Sequence, residues 1–122
     1  MNRQDLEAYI KDTYGVLADY PFEDDNSTAV FRHSSNKKWF ALMMTVPKSR
    51  FGLSDAGMLD VVNLKCAPDM IDSFWCERGI FPAYHMNKKH WISVSLDGSV
   101  DDETVRFLMG VSHTLTDKKK KL

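Results

Sequence analysis

The densest group of chemically active side chains in this sequence is the segment PAYHMNKKHW, residues 82–91. It combines two lysines, two histidines, an asparagine and two aromatic rings within ten positions. Ammonium groups bind phosphate oxygens and aromatic rings stack on bases, so this composition is typical of nucleic-acid contacts. A purely structural role is the alternative, in which Asn87 adopts a left-handed turn conformation while Tyr84 and Trp91 pack. The residues alone leave both interpretations open.

Metal binding is a separate possibility, because four side chains are of the type that zinc selects: Cys66, Cys76, His85 and His90. Nine residues separate the two cysteines, whereas structural zinc sites bring cysteines within two to four residues of each other. We therefore predict no metal site and no cofactor. The other two histidines, His33 and His113, are isolated in the sequence and are expected at the surface or its rim.

The sequence carries no signature of nucleophilic catalysis. It has neither a Gly-x-Ser-x-Gly elbow nor a phosphate-binding glycine loop, and its six glycines are scattered. Cys66 follows an apolar run, where a thiol usually behaves as a small buried hydrophobe. A Cys66–His85 pairing with His90 nearby is the one enzymatic alternative, and a protein without catalytic residues is the prediction.

Composition indicates one folded domain. The 122 residues include 43% hydrophobic and 11% aromatic residues, which is enough for a core. We expect the domain to span residues 1–117 and the lysine-rich residues 118–122 to form a tail. The longest apolar run, Trp39 to Met44, is the length of a strand, so neither a signal peptide nor a membrane span is predicted. A cytoplasmic protein without membrane contact is expected.

Charge is unevenly distributed along the chain, although the total is −1. Residues 1–30 carry −5 and residues 97–117 carry −4, whereas residues 31–66 carry +4 and residues 81–96 carry +2. Such a distribution permits a basic face on a nearly neutral protein. Without the tail the net charge is −5, so a generic affinity for polyanions is not expected of the body.

Periodicity and turn residues predict an α-β-β-β-α-β-α order. The helices are expected at residues 2–18, with Asn2 as the cap, at residues 68–78, and after a cap at Ser99 or Asp101. The strands are expected at Thr28–His33, Trp39–Val46, Leu59–Lys65 and His90–Leu96, with a loop at Pro47–Gly57. Short connections favour antiparallel pairing, so the prediction is an α+β fold with a four-stranded antiparallel sheet and helices on one face.

Alternation along the strands predicts which side chains point away from the helices. In the last strand Ile92, Val94 and Leu96 share one side, and the preceding strand places Val62 and Leu64 on that side. The opposite side of the sheet is then expected to be an open polar surface, formed by Asn63, Lys65, Trp91, Ser93 and Ser95.

Several segments in order resemble the MmcQ/YjbR family of small bacterial proteins: YPFEDD, AVFRH, KWFALMMTVPKSRFGL, VVNLKCAPD, GIFPAYHMNKKHW and SLDGSVDDE. The resemblance implies a cytoplasmic domain with a frataxin-like fold. Members are commonly labelled DNA-binding because of a proposed similarity to a double-wing motif. The family's polar signature falls on Asn63, Lys65, Pro82, His85, Asn87, Lys88, His90 and Trp91, and it implies no catalytic residues. The chain departs from the family pattern in two places: the Pro47–Gly57 loop is longer than in the shorter members, and the predicted helix after Pro68 carries the bulky residues Phe74 and Trp75.

The function predicted from the sequence is a non-enzymatic binding domain whose ligand is a polyanion, with DNA as the favoured partner. The binding residues are expected on the polar sheet face and the 82–91 segment: Asn63, Lys65, His85, Asn87, Lys88, Lys89, His90 and Trp91. The alternative is a protein-interaction or small-ligand domain, in which the same surface recognises an acidic protein or a metabolite. Trp91 rather than the lysines would then dominate binding.

Overall fold

A computed structural model describes residues 1–74 and 77–117. Its helices are α1 (Arg3–Tyr14), α2 (Pro68–Phe74) and α3 (Asp102–Thr116), and its strands are β1 (Ala29–Arg32), β2 (Trp39–Pro47), β3 (Met58–Lys65), β4 (Ile80–Pro82) and β5 (Trp91–Ser95). The expected helical positions of Trp75 and Cys76, and the tail at 118–122, lie outside the described residues. Within residues 1–74 and 77–117, no helix is long and apolar enough to cross a membrane.

Local capping explains where α1 begins and ends. The Asn2 side chain accepts a hydrogen bond from the Asp5 amide at 2.8 Å, and the Asp5 carboxylate accepts one from the Asn2 amide at 3.0 Å. The helix ends where Gly15 takes a left-handed conformation, with φ of 69°. The predicted extension to residue 18 is therefore wrong, and Leu17 is 69% exposed.

Within the described residues, the sheet is fully antiparallel and has five strands in the order β1-β2-β3-β5-β4. The α+β class is confirmed, but the prediction of four strands is wrong, because β4 adds an edge strand beside β5. β4 has only three residues, which is too short a run to show alternation in the sequence. Its last residue is a proline, which an edge strand tolerates. The predicted loop after β2 contains a 3₁₀ turn, Lys48–Phe51.

The main core lies between the sheet and the three helices, which confirms that the helices cover one face. α1 contributes Leu6 and Ile10, α2 contributes Ile71, and α3 contributes Leu108 and Met109. The facing sheet residues are Ala29, Phe31, Ala41, Met43, Val62, Leu64, Ile80, Ile92 and Val94. Burial of this set is the principal contribution to the stability of the fold.

A second apolar cluster lies on the opposite face of the sheet, so the expectation of an open polar surface there is wrong. Its buried members are Val30, Leu42, Met44, Val46, Leu59 and Val61. They are covered by side chains from the 3₁₀ turn, from β4 and from the 82–91 segment, among them Phe51, Phe81, Tyr84 and Met86. Three residues that were expected to be exposed to solvent are buried here: Asn63, Ser93 and Ser95.

α3 is hydrogen-bonded to the sheet beside a β-bulge at Phe40. Phe31 lies opposite Ala41 and Arg32 lies opposite Trp39, so Phe40 is an extra residue in β2. The Ser112 hydroxyl of α3 donates to the Phe40 carbonyl at 2.5 Å and accepts from the Lys65 amide at 2.8 Å. One buried side chain thus bridges β2 and β3 beyond their last paired residues.

Candidate functional site

The predicted binding residues divide into three groups by exposure. His85, Asn87, Lys88, Lys89 and His90 are exposed on the segment between β4 and β5. Lys65 and Trp91 are half-buried and lie opposite each other on β3 and β5. Asn63 is completely buried. The structure therefore places five of the eight residues together on one exposed loop.

Asn63 anchors that loop to the sheet. Its side-chain amide donates to the Tyr84 carbonyl at 2.8 Å, and its oxygen accepts from the Ser93 hydroxyl at 2.5 Å. The Ser93 oxygen in turn accepts from the Tyr84 amide at 3.0 Å. Both polar groups of the Tyr84 backbone are thus held by two buried side chains that face each other across β3 and β5. Asn63 is inaccessible to a ligand, and its predicted place in a binding surface is wrong.

Backbone geometry inside the loop also differs from the expectation. The left-handed residue is His85, with φ of 60°, rather than Asn87. The His85 ring lies 3.8 Å from the Tyr84 ring, centroid to centroid. Asn87 organises the end of the loop, because its side-chain oxygen accepts from the Lys89 amide and its carbonyl accepts from the His90 and Trp91 amides. These bonds fix the direction in which the two lysines leave the loop.

An aromatic groove separates this loop from the 3₁₀ turn. Phe51 stacks on Phe81 with ring centroids 4.7 Å apart, and the Tyr84 ring lies edge-on at 6.1 Å from Phe51. Arg50 and Lys88 are the two cationic residues that line the hollow, which has a volume of about 240 Å³. No carboxylate is among the described residues that line it. The groove can therefore accept an anionic group beside an aromatic surface.

A second hollow, of about 290 Å³, lies on the other side of Lys88 and is lined by Lys89, His90 and residues of α2. Its lining includes the carboxylate of Asp72, which repels an anion. Neither Arg50, Lys88 nor Lys89 forms a salt bridge with a carboxylate within residues 1–74 and 77–117. All three side chains are exposed to solvent.

Arg50 was missed by the sequence analysis, which placed Pro47–Gly57 in a solvated loop. The signal was available in part, since Phe51 follows Arg50 directly and an aromatic residue in a loop indicates packing. Arg32 and Trp39 were also missed. Arg32 lies over the Trp39 ring at 6.0 Å and pairs with Asp19 at 3.1 Å. The neighbouring carboxylate makes this end of the sheet a weaker anion site than the groove.

The surroundings of Cys66 weigh against the enzymatic alternative. Cys66 is buried and, within the described part of the chain, is a free thiol. Burial, followed by the charge of Asp69, raises the pKa of this thiol. A raised pKa disfavours the thiolate that a nucleophile requires. The predicted partner His85 is exposed and packs on Tyr84.

The expected surface or rim position is wrong for His33, which is buried, whereas His113 is half-buried. His33 is 4% exposed, and the two imidazole rings lie 4.3 Å apart, centroid to centroid. They are 80 positions apart in the sequence, so only the packing of α3 against the sheet brings them together. Neither local spacing nor periodicity could have indicated the pair.

Known proteins are similar to this chain in both sequence and architecture. A YjbR family model matches residues 11–115. The Bacillus subtilis (strain 168) protein YyaQ is 39% identical over 116 residues, covering 95% of this chain and 98% of YyaQ. A crystal structure of a Pseudomonas syringae protein is similar with a TM-score of 0.93 at 41% identity, covering 95% of this chain and 99% of that one. The crystal structure of Deinococcus radiodurans DR2400, a DUF419 domain, has a TM-score of 0.73 at 28% identity, covering 99% and 82% of the two chains.

Proposed function

The chain belongs to the YjbR family, and we propose that this member is a non-enzymatic binding domain whose ligand is DNA. The observation that carries the proposal is the aromatic groove lined by both Arg50 and Lys88. A guanidinium and an ammonium bind phosphate oxygens, while the ring faces beside them accept bases or sugars.

The loop supplies further contacts in our proposal. Lys89, His85 and His90 are exposed beside Lys88, and Trp91 with Lys65 continues the surface onto the sheet. Because the net charge of residues 1–117 is −5, phosphate binding has to be local to these cations rather than a property of the whole body. The acidic residues 1–30 and the first turn of α3, with Asp102 and Glu103, would then repel DNA and so orient it.

The size of the groove favours an extended ligand over a metabolite. Pockets that enclose small molecules typically measure about 300–1,000 Å³, whereas this hollow is about 240 Å³ and open. A polymer can place one group in such a hollow and continue along the surface, so its affinity does not depend on enclosure.

The experiment is a titration of the protein against duplex and single-stranded DNA at about 50 and 200 mM salt. Three phosphate contacts, from Arg50, Lys88 and Lys89, give a slope of about −2.7 in log K against log salt for a duplex. The binding constant K then falls about 40-fold between the two salt concentrations. In K88A/K89A one contact remains, and the binding constant should fall only about 3.5-fold between the same salt concentrations.

A charge-matched control is available in K11A/K38A, because both lysines are exposed and lie outside the groove. We expect its salt slope to equal that of the wild type. A second control removes residues 118–122, and binding by the domain should persist. Loss of all binding on this deletion, or equal slopes for K88A/K89A and K11A/K38A, would refute the proposal.

The same variants distinguish the alternative ligand. If W91A abolishes binding to an acidic protein or metabolite while K88A/K89A has little effect, the surface is a protein-interaction or small-ligand site instead. The half-buried Trp91 would then be the anchor of that interaction.

A further inference from the structure

His33, His113 and Asp117 converge where β1 ends and α3 ends. His33 follows β1 directly, and the other two lie four residues apart at the end of α3, on one side of the helix. The His33 Nδ1 atom is 3.8 Å from the Asp117 carboxylate. One ring nitrogen from each histidine and one oxygen of Asp117 all lie within 4.8 Å of one another.

Thr116 fixes the orientation of the His33 ring. The Thr116 hydroxyl donates to the Ser112 carbonyl at 2.7 Å, and the His33 Nε2 atom lies 2.7 Å from the same hydroxyl oxygen. The other ring nitrogen, Nδ1, therefore faces Asp117. An imidazole nitrogen and a carboxylate oxygen that face each other can bind one cation between them.

The end of α3 also favours a cation here. The 15-residue helix α3 ends at this point, and the C-terminal end of a helix carries a partial negative charge.

Neighbouring side chains hold both rings in place. Tyr14 stacks on His113 with centroids 4.2 Å apart and planes at 22°, and Phe40 packs against each histidine. A hydrogen bond that fixes the second ring nitrogen, as Thr116 does for His33, is typical of histidines that bind metal ions.

We propose that His33, His113 and Asp117 form a binding site for a divalent transition-metal ion. Two imidazole nitrogens and one carboxylate oxygen are the donor set of Zn²⁺, Co²⁺ and Ni²⁺, whereas Ca²⁺ and Mg²⁺ prefer oxygen ligands throughout. Ligand bonds of about 2.0–2.1 Å place tetrahedral donors about 3.4 Å apart. The exposed side chain of Asp117 can move to make this contraction.

The site joins the end of β1 to the end of α3, so a bound ion also links the sheet edge to the last helix. A ligand that binds only the folded protein raises its stability. The proposal is independent of DNA binding, because none of the three ligands lines the groove between Arg50 and Lys88.

The test is a calorimetric titration of untagged, chelator-treated full-length protein with ZnCl₂, with CoCl₂ absorption and thermal unfolding as further readouts. We expect one ion per chain and a higher unfolding temperature. The D117N and H113Q variants should each bind at least 10-fold more weakly. D117N changes an exposed side chain, so it keeps the test valid if H113Q folds poorly.

The control is H85Q/H90Q, which removes the two exposed histidines of the loop and should bind zinc as the wild type does. The proposal is overturned if zinc binds D117N and H113Q as tightly as the wild type, if H85Q/H90Q loses the ion, or if 1 mM zinc neither binds nor stabilises the protein.

Discussion

Replacing Asn63 with leucine tests whether this residue is part of the scaffold or of the ligand surface. Leucine has the same number and branching of side-chain heavy atoms as asparagine and no polar atoms, so the substitution leaves no cavity. It removes the hydrogen bond to the Tyr84 carbonyl and leaves the Ser93 hydroxyl without its acceptor. Each buried polar group left unpaired costs about 1–3 kcal/mol. N63L should therefore lower the free energy of unfolding by about 2–6 kcal/mol.

This loss is large against the total stability of a small domain, which is typically about 5–15 kcal/mol. Urea unfolding followed by tryptophan fluorescence measures it, and hydrogen exchange at the Tyr84 amide reports the loop itself. Asn26→Leu is the matched control: Asn26 is exposed, and surface substitutions usually stay within about 0.5 kcal/mol.

A double-mutant cycle with Ser93→Ala isolates the bond between the two side chains. Because Asn63 and Ser93 share one hydrogen bond and both hold Tyr84, the double variant should lose less stability than the two single variants together, by about 1 kcal/mol or more. The reasoning is refuted if N63L keeps wild-type stability and loses only DNA binding, since Asn63 would then be a ligand contact.

Two further predictions concern a buried hydroxyl and an exposed carboxylate. S112A leaves the Phe40 carbonyl and the Lys65 amide without their bridge, so urea unfolding should show a loss of about 2 kcal/mol or more. Hydrogen bonds from Thr28, then from Ser27, lower the pKa of Asp25 to about 2. Its contribution to stability is therefore present above pH 4 and lost as the pH falls through 2, and in an NMR titration T28V should return this pKa toward 3.8.

Residues close in the sequence carried the predictions that the structure confirms. The cap of α1 depends on Asn2 and Asp5, three positions apart. Alternation within β3 and β5 correctly separated Val62 and Ile92, which face the helices, from Asn63 and Ser93, which face away. Such patterns are local properties of the backbone, so one sequence is sufficient to read them.

The errors arose where distant segments meet. Alternation shows which way Asn63 points, but not what lies above it. That depends on Phe51, Tyr84 and Met86, which reach the sheet from two separate connections. The bulge at Phe40 and the His33–His113 contact likewise depend on how α3 packs, which no short window of sequence records.

The buried and exposed halves of the polar signature therefore have different tasks. Asn63 and Ser93 hold the backbone of Tyr84, and the Tyr84 ring forms one wall of the groove in which Lys88 lies. A loop without such an anchor would lose binding energy when its cations became ordered on a ligand. A loop already fixed to the sheet avoids most of this cost. The buried residues can thus matter for binding without touching a ligand, and a motif that includes both kinds cannot by itself identify the contact residues.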